Sequence, residues 1–289
     1  MRTVFVLSGL LASLCAAGTG TLNADEPRQL NVFLLAGQSN MAGADSVAAL
    51  SPEVQVTDAD RAARFSTAPL PDGARSTVWL PWSVLQPHRV KETLVHGPEL
   101  GFARTLHQHG WRNVAMIKVY ANFGRDADKW PWGEGGYLFR AWMEFVDGRL
   151  EELRQQGYQV QVRGFVWHQG IDDAIHGRFA AEYGKNVAAL IAVLRKRFNA
   201  QDAPFVLARS VNSRIAQPTP DPNETSPMSA VRRAQVQLAV DVPRVAWINV
   251  DDQPNVNTHH FTAAGQLVLG QRFADAFLTQ ERASVNLPR

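Results

Sequence analysis

The sequence holds a single cysteine, Cys15, and it falls inside an apolar stretch at the N-terminus. The chain therefore has no means of forming an internal disulfide or a thiolate metal cage, and its stability must rest on a packed core. An excess of charge is lacking too. The 29 Lys and Arg nearly balance 27 Asp and Glu, leaving a formal net charge of +2. The basic residues are scattered, which argues against the cationic stripe that nucleic acid demands and against a polybasic membrane anchor. The apolar run Val4 to Ala17 is too short to cross a bilayer. With Arg2 before it and small residues after it, it reads as an export signal cleaved after Ala24. Leu14, directly before Cys15, is not the small residue that lipidation requires. Residues 1–24 are thus expected to be a signal peptide and 25–289 one domain, periplasmic or secreted and free of the membrane. A glycine-rich phosphate loop is missing, and His107 and His109 stand without a carboxylate cluster, so neither cofactor nor metal is expected.

What is present is an ordinary globular composition, 45% hydrophobic and 19% charged over 289 residues. Short runs rich in Val, Ile, Leu and Phe predict strands at Asn31–Ala36, Asn113–Tyr120, Gln159–Trp167, Pro204–Ala208 and Val245–Val250. Between them, apolar spacing near 3.6 predicts helices at Glu99–His109, Tyr137–Gln156, Arg178–Asn199, Ser229–Val240 and Thr262–Thr279. Alternation of this kind implies an α/β fold, a mainly parallel five-stranded sheet with helices on both faces. Two proline-rich stretches, 44–98 and 211–228, interrupt it as long loops of the sort that carry function.

One short segment raises the question of chemistry. In "FLLAGQSNMAG", Phe33 to Gly43, a hydrophobic strand breaks at a small hydroxyl residue, Ser39. Serine is a weak nucleophile until a base takes its proton. Of eight histidines, His259 and His260 precede the last helix, and in a parallel sheet that loop shares an edge with the loop after strand one. On spacing alone, an ordinary loop serine fits equally well.

"GQSNM" at Gly37–Met41 resembles the nucleophile block of the sialate O-acetylesterase and carbohydrate esterase family 6 group of SGNH (GDSL-like) hydrolases. "GPELGFARTL" at Gly97–Leu106, "WHQG" followed by Asp172 and Asp173, and "HHFTAAGQLVLGQRFADAF" at His259–Phe277 agree with that group's further blocks. The resemblance implies a flavodoxin-like three-layer αβα sandwich and serine esterase chemistry on O-acetylated sugar or polysaccharide. It implies Ser39 as nucleophile, His260 as base, and an oxyanion hole formed by the Ser39 N–H, Gly124 and the Gln169 amide. Gln38, Asn40, His168, His259, Arg125 and Trp130 fall where substrate contacts are expected. Trp79, Trp82 and Trp132 are further aromatic faces in the flanking loops.

Three positions depart from the family pattern. Asn257 stands where the family carries an Asp three residues before its histidine, Ile171 replaces the block-three Glu, and Phe123-Gly124-Arg125 replaces Gly-Gly-Thr. An aspartate there would hold the imidazole in its working tautomer. The expectations are a serine–histidine dyad, or Asn257 as orienter, working at reduced rate, or another carboxylate in the acid's place: Asp251 and Asp252 are nearest in sequence, with Asp172 and Asp173 as alternatives in space. A weakened member that binds acetylated glycan without turnover is the competing expectation.

Overall fold

The computed structural model describes residues 28–48, 54–70, 80–123, 136–176, 179–210, 225–257 and 259–285. In chain order its elements are β1 (Arg28–Gly37), α1 (Ser39–Ala42), α2 (Asp58–Arg61), β2 (Ala63–Pro69), β3 (Ser83–Val84), β4 (His88–Val90), β5 (Thr93–Val95), α3 (Glu99–Gln108) and β6 (Val114–Tyr120). There follow α4 (Tyr137–Gln155), β7 (Tyr158–His168), α5 (Ile171–His176), α6 (Tyr183–Arg197), β8 (Phe205–Ala208), α7 (Pro227–Asp241), β9 (Val245–Ile248) and α8 (Ala263–Val285). The signal segment expected at 1–24 lies outside the described residues.

The main sheet has seven strands, not five, in the order β3-β2-β6-β1-β7-β8-β9. All pairings are parallel except β2 with β3. The five expected strands are present, and the additions are β2 and its short partner β3. β4 and β5 form a separate antiparallel hairpin.

Residue alternation in β1 shows how the layers arise. Val32, Leu34 and Ala36 point into one core with Trp142 of α4, Leu190 of α6 and Val231 of α7. Phe33 and Leu35 point into the other, with Leu100 and Phe102 of α3 and Phe273 of α8. A strand buried on both faces needs apolar residues at successive positions, which is why β1 reads as an unbroken run.

Two glycines bring α3 against α8. A Cβ on Gly101 would lie 2.0 Å from the Leu267 carbonyl oxygen, and one on Gly270 would lie 2.0 Å from that of Pro98. Backbone approach this close admits no side chain. It fixes the start of α8, and the loop before it, relative to the segment that leads into α3.

A charged pair is sealed under that segment. Lys118 of β6 and Glu99 of α3 are both fully buried, with Nζ 2.8 Å from Oε2. Glu99 Oε1 also accepts the Gly97 N–H at 2.9 Å. Burial, the largest single influence, would raise the Glu99 pKa, but the Lys118 charge and hydrogen bond together with the neighbouring His88 and His96 outweigh it, and the carboxyl sits below its usual range. Removing either partner would strand a charge in the core.

Candidate active site

Ser39 begins α1, directly after β1 ends at Gly37. The turn that follows is tightly specified. Gly43 lies at φ 86 and Asp45 at φ 62, both in the left-handed region. Gly43 could carry no side chain in any case, since a Cβ would meet the His96 carbonyl oxygen at 2.2 Å. Ser46 closes the turn by donating its hydroxyl toward the carbonyls of Gly43 and His96, at 2.7 and 2.6 Å. The cost of a left-handed aspartate is met by these contacts, and the Asp45 carboxylate is presented to the loop that carries Asn257 and His260.

His260 reaches the same place from the other end of the chain. Its Nε2 lies 2.9 Å from Ser39 Oγ, and its Nδ1 lies 2.5 Å from Asp45 Oδ2. A carboxylate accepts only, so Nδ1 carries the proton and Nε2 presents its lone pair to the serine hydroxyl. The hydrogen bond from His260 holds the Asp45 carboxyl below its ordinary pKa, with burial opposing and the His260 charge and Asn257 assisting. Asp45 therefore stays ionised at neutral pH. In chemical terms the three groups form a base relay able to take a proton from Ser39.

Asp45 was not among the residues expected from sequence. Asp251 and Asp252, the carboxylates nearest the histidine, are engaged elsewhere. Asp251 pairs with Arg209 and Arg232, at 2.5 and 2.8 Å. Asp252 makes two contacts of 2.6 Å with Arg272. Neither touches His260, which corrects that expectation. Asn257 is present but in a supporting position. Its Oδ1 accepts the backbone N–H groups of His259 and His260 at 3.1 and 3.0 Å, and its Nδ2 donates to Asp45 Oδ2 at 2.7 Å.

Several expected substrate contacts turn out to hold the loops together. Gln38 is buried and accepts the Gly170 N–H at 3.1 Å. Asn40, also buried, donates to the His259 carbonyl at 2.8 Å, while its own carbonyl accepts from Gln266 of α8 at 3.0 Å. These bonds tie the serine turn to the histidine loop. His168 is buried between the rings of Phe261 and Phe273. Gln169, expected to donate to an oxyanion, gives its amide N–H groups to the Phe123 carbonyl at 3.1 Å and to the Asp173 carboxylate. Trp82 packs on the core, donates to the Arg149 carbonyl at 3.3 Å and lines a recess with Leu30, Val114 and Tyr158 near the starts of β1, β6 and β7, at the opposite end of the strands from Ser39. His259 is half-buried with its ring 4.4 Å from that of His260. Gly124, Arg125, Trp79, Trp130 and Trp132 lie outside the described residues. Among the described residues no cluster of His, Cys, Asp and Glu is arranged to hold a metal ion.

Burial of His168 has a measurable consequence. It pushes the imidazole pKa down to about 3, whereas an unfolded chain returns it to about 6.5. Below that value the unfolded state binds a proton that the folded state refuses, so this contribution is whole above pH 6.5 and declines toward pH 3. His88, pushed down to about 3 by burial and then by the Lys118 charge, acts in the same direction. Urea unfolding measured from pH 7 to pH 4 should show stability falling with acidity. His168→Phe should flatten that slope by up to about 1.4 kcal/mol per pH unit. An unchanged slope would mean that His168 takes up its proton in the folded state.

Comparison with known proteins agrees with this architecture. A probable carbohydrate esterase of Arabidopsis thaliana is 26% identical over 255 residues, which is 86% of this chain and 90% of the relative. A crystal structure of an Arabidopsis thaliana protein superposes with a TM-score of 0.58 at 22% identity, covering 87% of this chain and 98% of that one. A carbohydrate acetylesterase of Xanthomonas citri gives 0.59 at 19% identity, covering 85% of this chain and 55% of that one. Likeness at these identities establishes a shared fold. The sequence profile described as carbohydrate esterase, sialic acid-specific acetylesterase matches residues 29–279. The chain, whose serine and histidine blocks meet at the carboxyl edge of the sheet, belongs to that family of carbohydrate esterases.

Proposed function

We propose that this protein removes O-acetyl groups from carbohydrate by acyl transfer through Ser39. The observation that carries the reading is the continuous relay Ser39 Oγ, His260 Nε2, His260 Nδ1, Asp45 Oδ2, with spacings of 2.9 and 2.5 Å. In the first half-reaction His260 takes the Ser39 proton as Oγ attacks the acetyl carbonyl. The tetrahedral intermediate collapses, and His260 returns that proton to the sugar oxygen as it leaves. Water then repeats the sequence on the acetyl-enzyme, releasing acetate and restoring the serine. Asp45 keeps the imidazole in one tautomer and stabilises the imidazolium formed in each half. The Ser39 N–H, at the first position of α1 where no intrahelical acceptor exists, is one donor for the oxyanion. Gln169 joins it only by giving up its bonds to Phe123 and Asp173. Export, read from residues 1–24, would place this activity on extracellular glycan.

Acetate release separates esterase from glycan-binding protein. The purified chain is incubated with acetylated xylan, an O-acetylated sialic acid and an aryl acetate, and free acetate is assayed. Turnover of at least one sugar ester, blocked by a serine-directed phosphonate that labels Ser39, is expected. Tight binding of acetylated glycan with no acetate from any substrate would establish the binding role instead.

A further inference from the structure

Between β2 and the β4–β5 hairpin lies a cavity of about 830 Å³. One wall runs from Phe65 in mid-strand through Thr67 to Pro69 at the end of β2, and takes in Tyr120 at the end of β6. Leu80, whose N–H donates to the Thr67 carbonyl at 3.1 Å, edges the β2 side and Leu94 of β5 the hairpin side, and both are exposed at the rim. Strand register fixes where this cavity stands relative to Ser39. Tyr120 pairs with Gly37, two residues before the serine, and Pro69 pairs with Tyr120. Adjacent strands lie about 4.8 Å apart, so the Tyr120 end of the cavity is one strand from β1 and the β2 part of its wall about 10 Å away. That is the reach from one sugar unit to the next.

The lining chemistry is that of a small-molecule site. Walls are apolar, with a few polar groups at defined points, as expected where a ligand has C–H faces and hydroxyl edges. Thr67 Oγ1 is buried and has no hydrogen-bond partner, although the residue is only 1% exposed. A hidden, unsatisfied hydroxyl at the cavity wall is unfavourable in the empty fold. Burial, reinforced by the Glu99 charge, raises the Tyr120 pKa to about 12 and keeps the phenol a donor. The charged side chains of the lining are Arg89 and Lys91 on the hairpin, with no Asp or Glu.

We propose that this cavity is a subsite for the sugar unit next to the acetylated one, so that the substrate is a glycan chain rather than a free monosaccharide. The inference rests on the esterase reading of Ser39. The test compares kcat/KM for three acetyl esters: an aryl acetate, a mono-acetylated methyl xyloside and mono-acetylated xylotriose. The trisaccharide should be preferred over the monosaccharide by tenfold or more. Leu80→Trp and Leu94→Trp, each filling the cavity from an exposed rim position, should erase that preference through KM. Aryl acetate turnover should be unchanged in both variants, which also reports that they are folded. Equal rates on the two sugars, no turnover of either while the aryl ester is cleaved, or a preference that survives both variants would overturn the subsite. Aryl acetate hydrolysis that persists in Ser39→Ala would instead count against the esterase reading itself.

Discussion

Ser39→Ala should lower kcat for acetate release by at least about a thousandfold, and by as much as about a millionfold, while leaving the fold intact. The size follows from what is lost. Without Oγ there is no nucleophile for the acyl-enzyme, and the residue left behind keeps only whatever the remaining donors and substrate binding supply. The structural cost is small, because the hydroxyl is half-buried in a turn held by other groups: Ser46 on the carbonyls of Gly43 and His96, Asn40 on the His259 carbonyl, and Gln38 on the Gly170 amide. Thermal unfolding of the variant should therefore match that of the parent. Acetate release close to the parental rate, with the fold intact, would place the nucleophile elsewhere. Loss of activity together with loss of fold would be inconsistent with a turn braced in this way.

The parts of the fold that were legible in the sequence share one property. β1, β6, β7, β8 and β9 are buried by large aliphatic and aromatic residues, so their runs are unmistakable. β2 carries "ARFSTAP" and sits in a proline-rich stretch, yet most of it is buried. Its small and polar residues are covered by what packs around them: Ser66 donates to the Leu80 carbonyl at 2.6 Å, Thr67 is hidden although its hydroxyl finds no partner, and Lys118 on the adjacent strand is neutralised by Glu99. No window of local sequence contains that information. The same limit hid the partners of Asp251 and Asp252, whose arginines lie 19 to 42 residues away.

Ser39 and His260 were legible because each sits in an ordered block at a strand or helix boundary. The acid was not, because expectation followed the histidine. A signal did exist: Asp45 and Ser46 follow Gly43, six residues and one left-handed turn from the nucleophile. A short acidic residue tolerant of positive φ, next to a serine that can close a turn, is what such a geometry needs. Spacing of that sort occurs in many turns, and only the packing of residues 96 and 97 beneath this one gives it meaning.

Asp45→Asn should be the second largest loss, about four orders of magnitude in kcat, with KM little changed. The adjacent Asn257 cannot compensate, and its bonds say why. Its Oδ1 is already held by the amides of His259 and His260, so the atom facing His260 Nδ1, at 3.1 Å, is Nδ2, a donor. With asparagine at 45 as well, the ring would be offered donors on that side. It would accept at Nδ1 and place its proton on Nε2, against the serine, which is the unproductive tautomer. Asn257→Asp alone should not improve the enzyme, since it sets a second carboxylate where Nδ2 now lies 2.7 Å from Asp45, and two such charges cannot both ionise without cost. In an Asp45→Ala background the same change should behave differently. A lone carboxylate at 257 would stand within reach of Nδ1, and activity should recover by at least tenfold over Asp45→Ala. A double-mutant cycle over positions 45 and 257 measures that interaction directly. Strong coupling with recovery would mean that the acid of this site has moved from the histidine loop to the serine turn. Additive losses would reduce Asp45 to a surface partner of His260 and return the reaction to a serine–histidine pair.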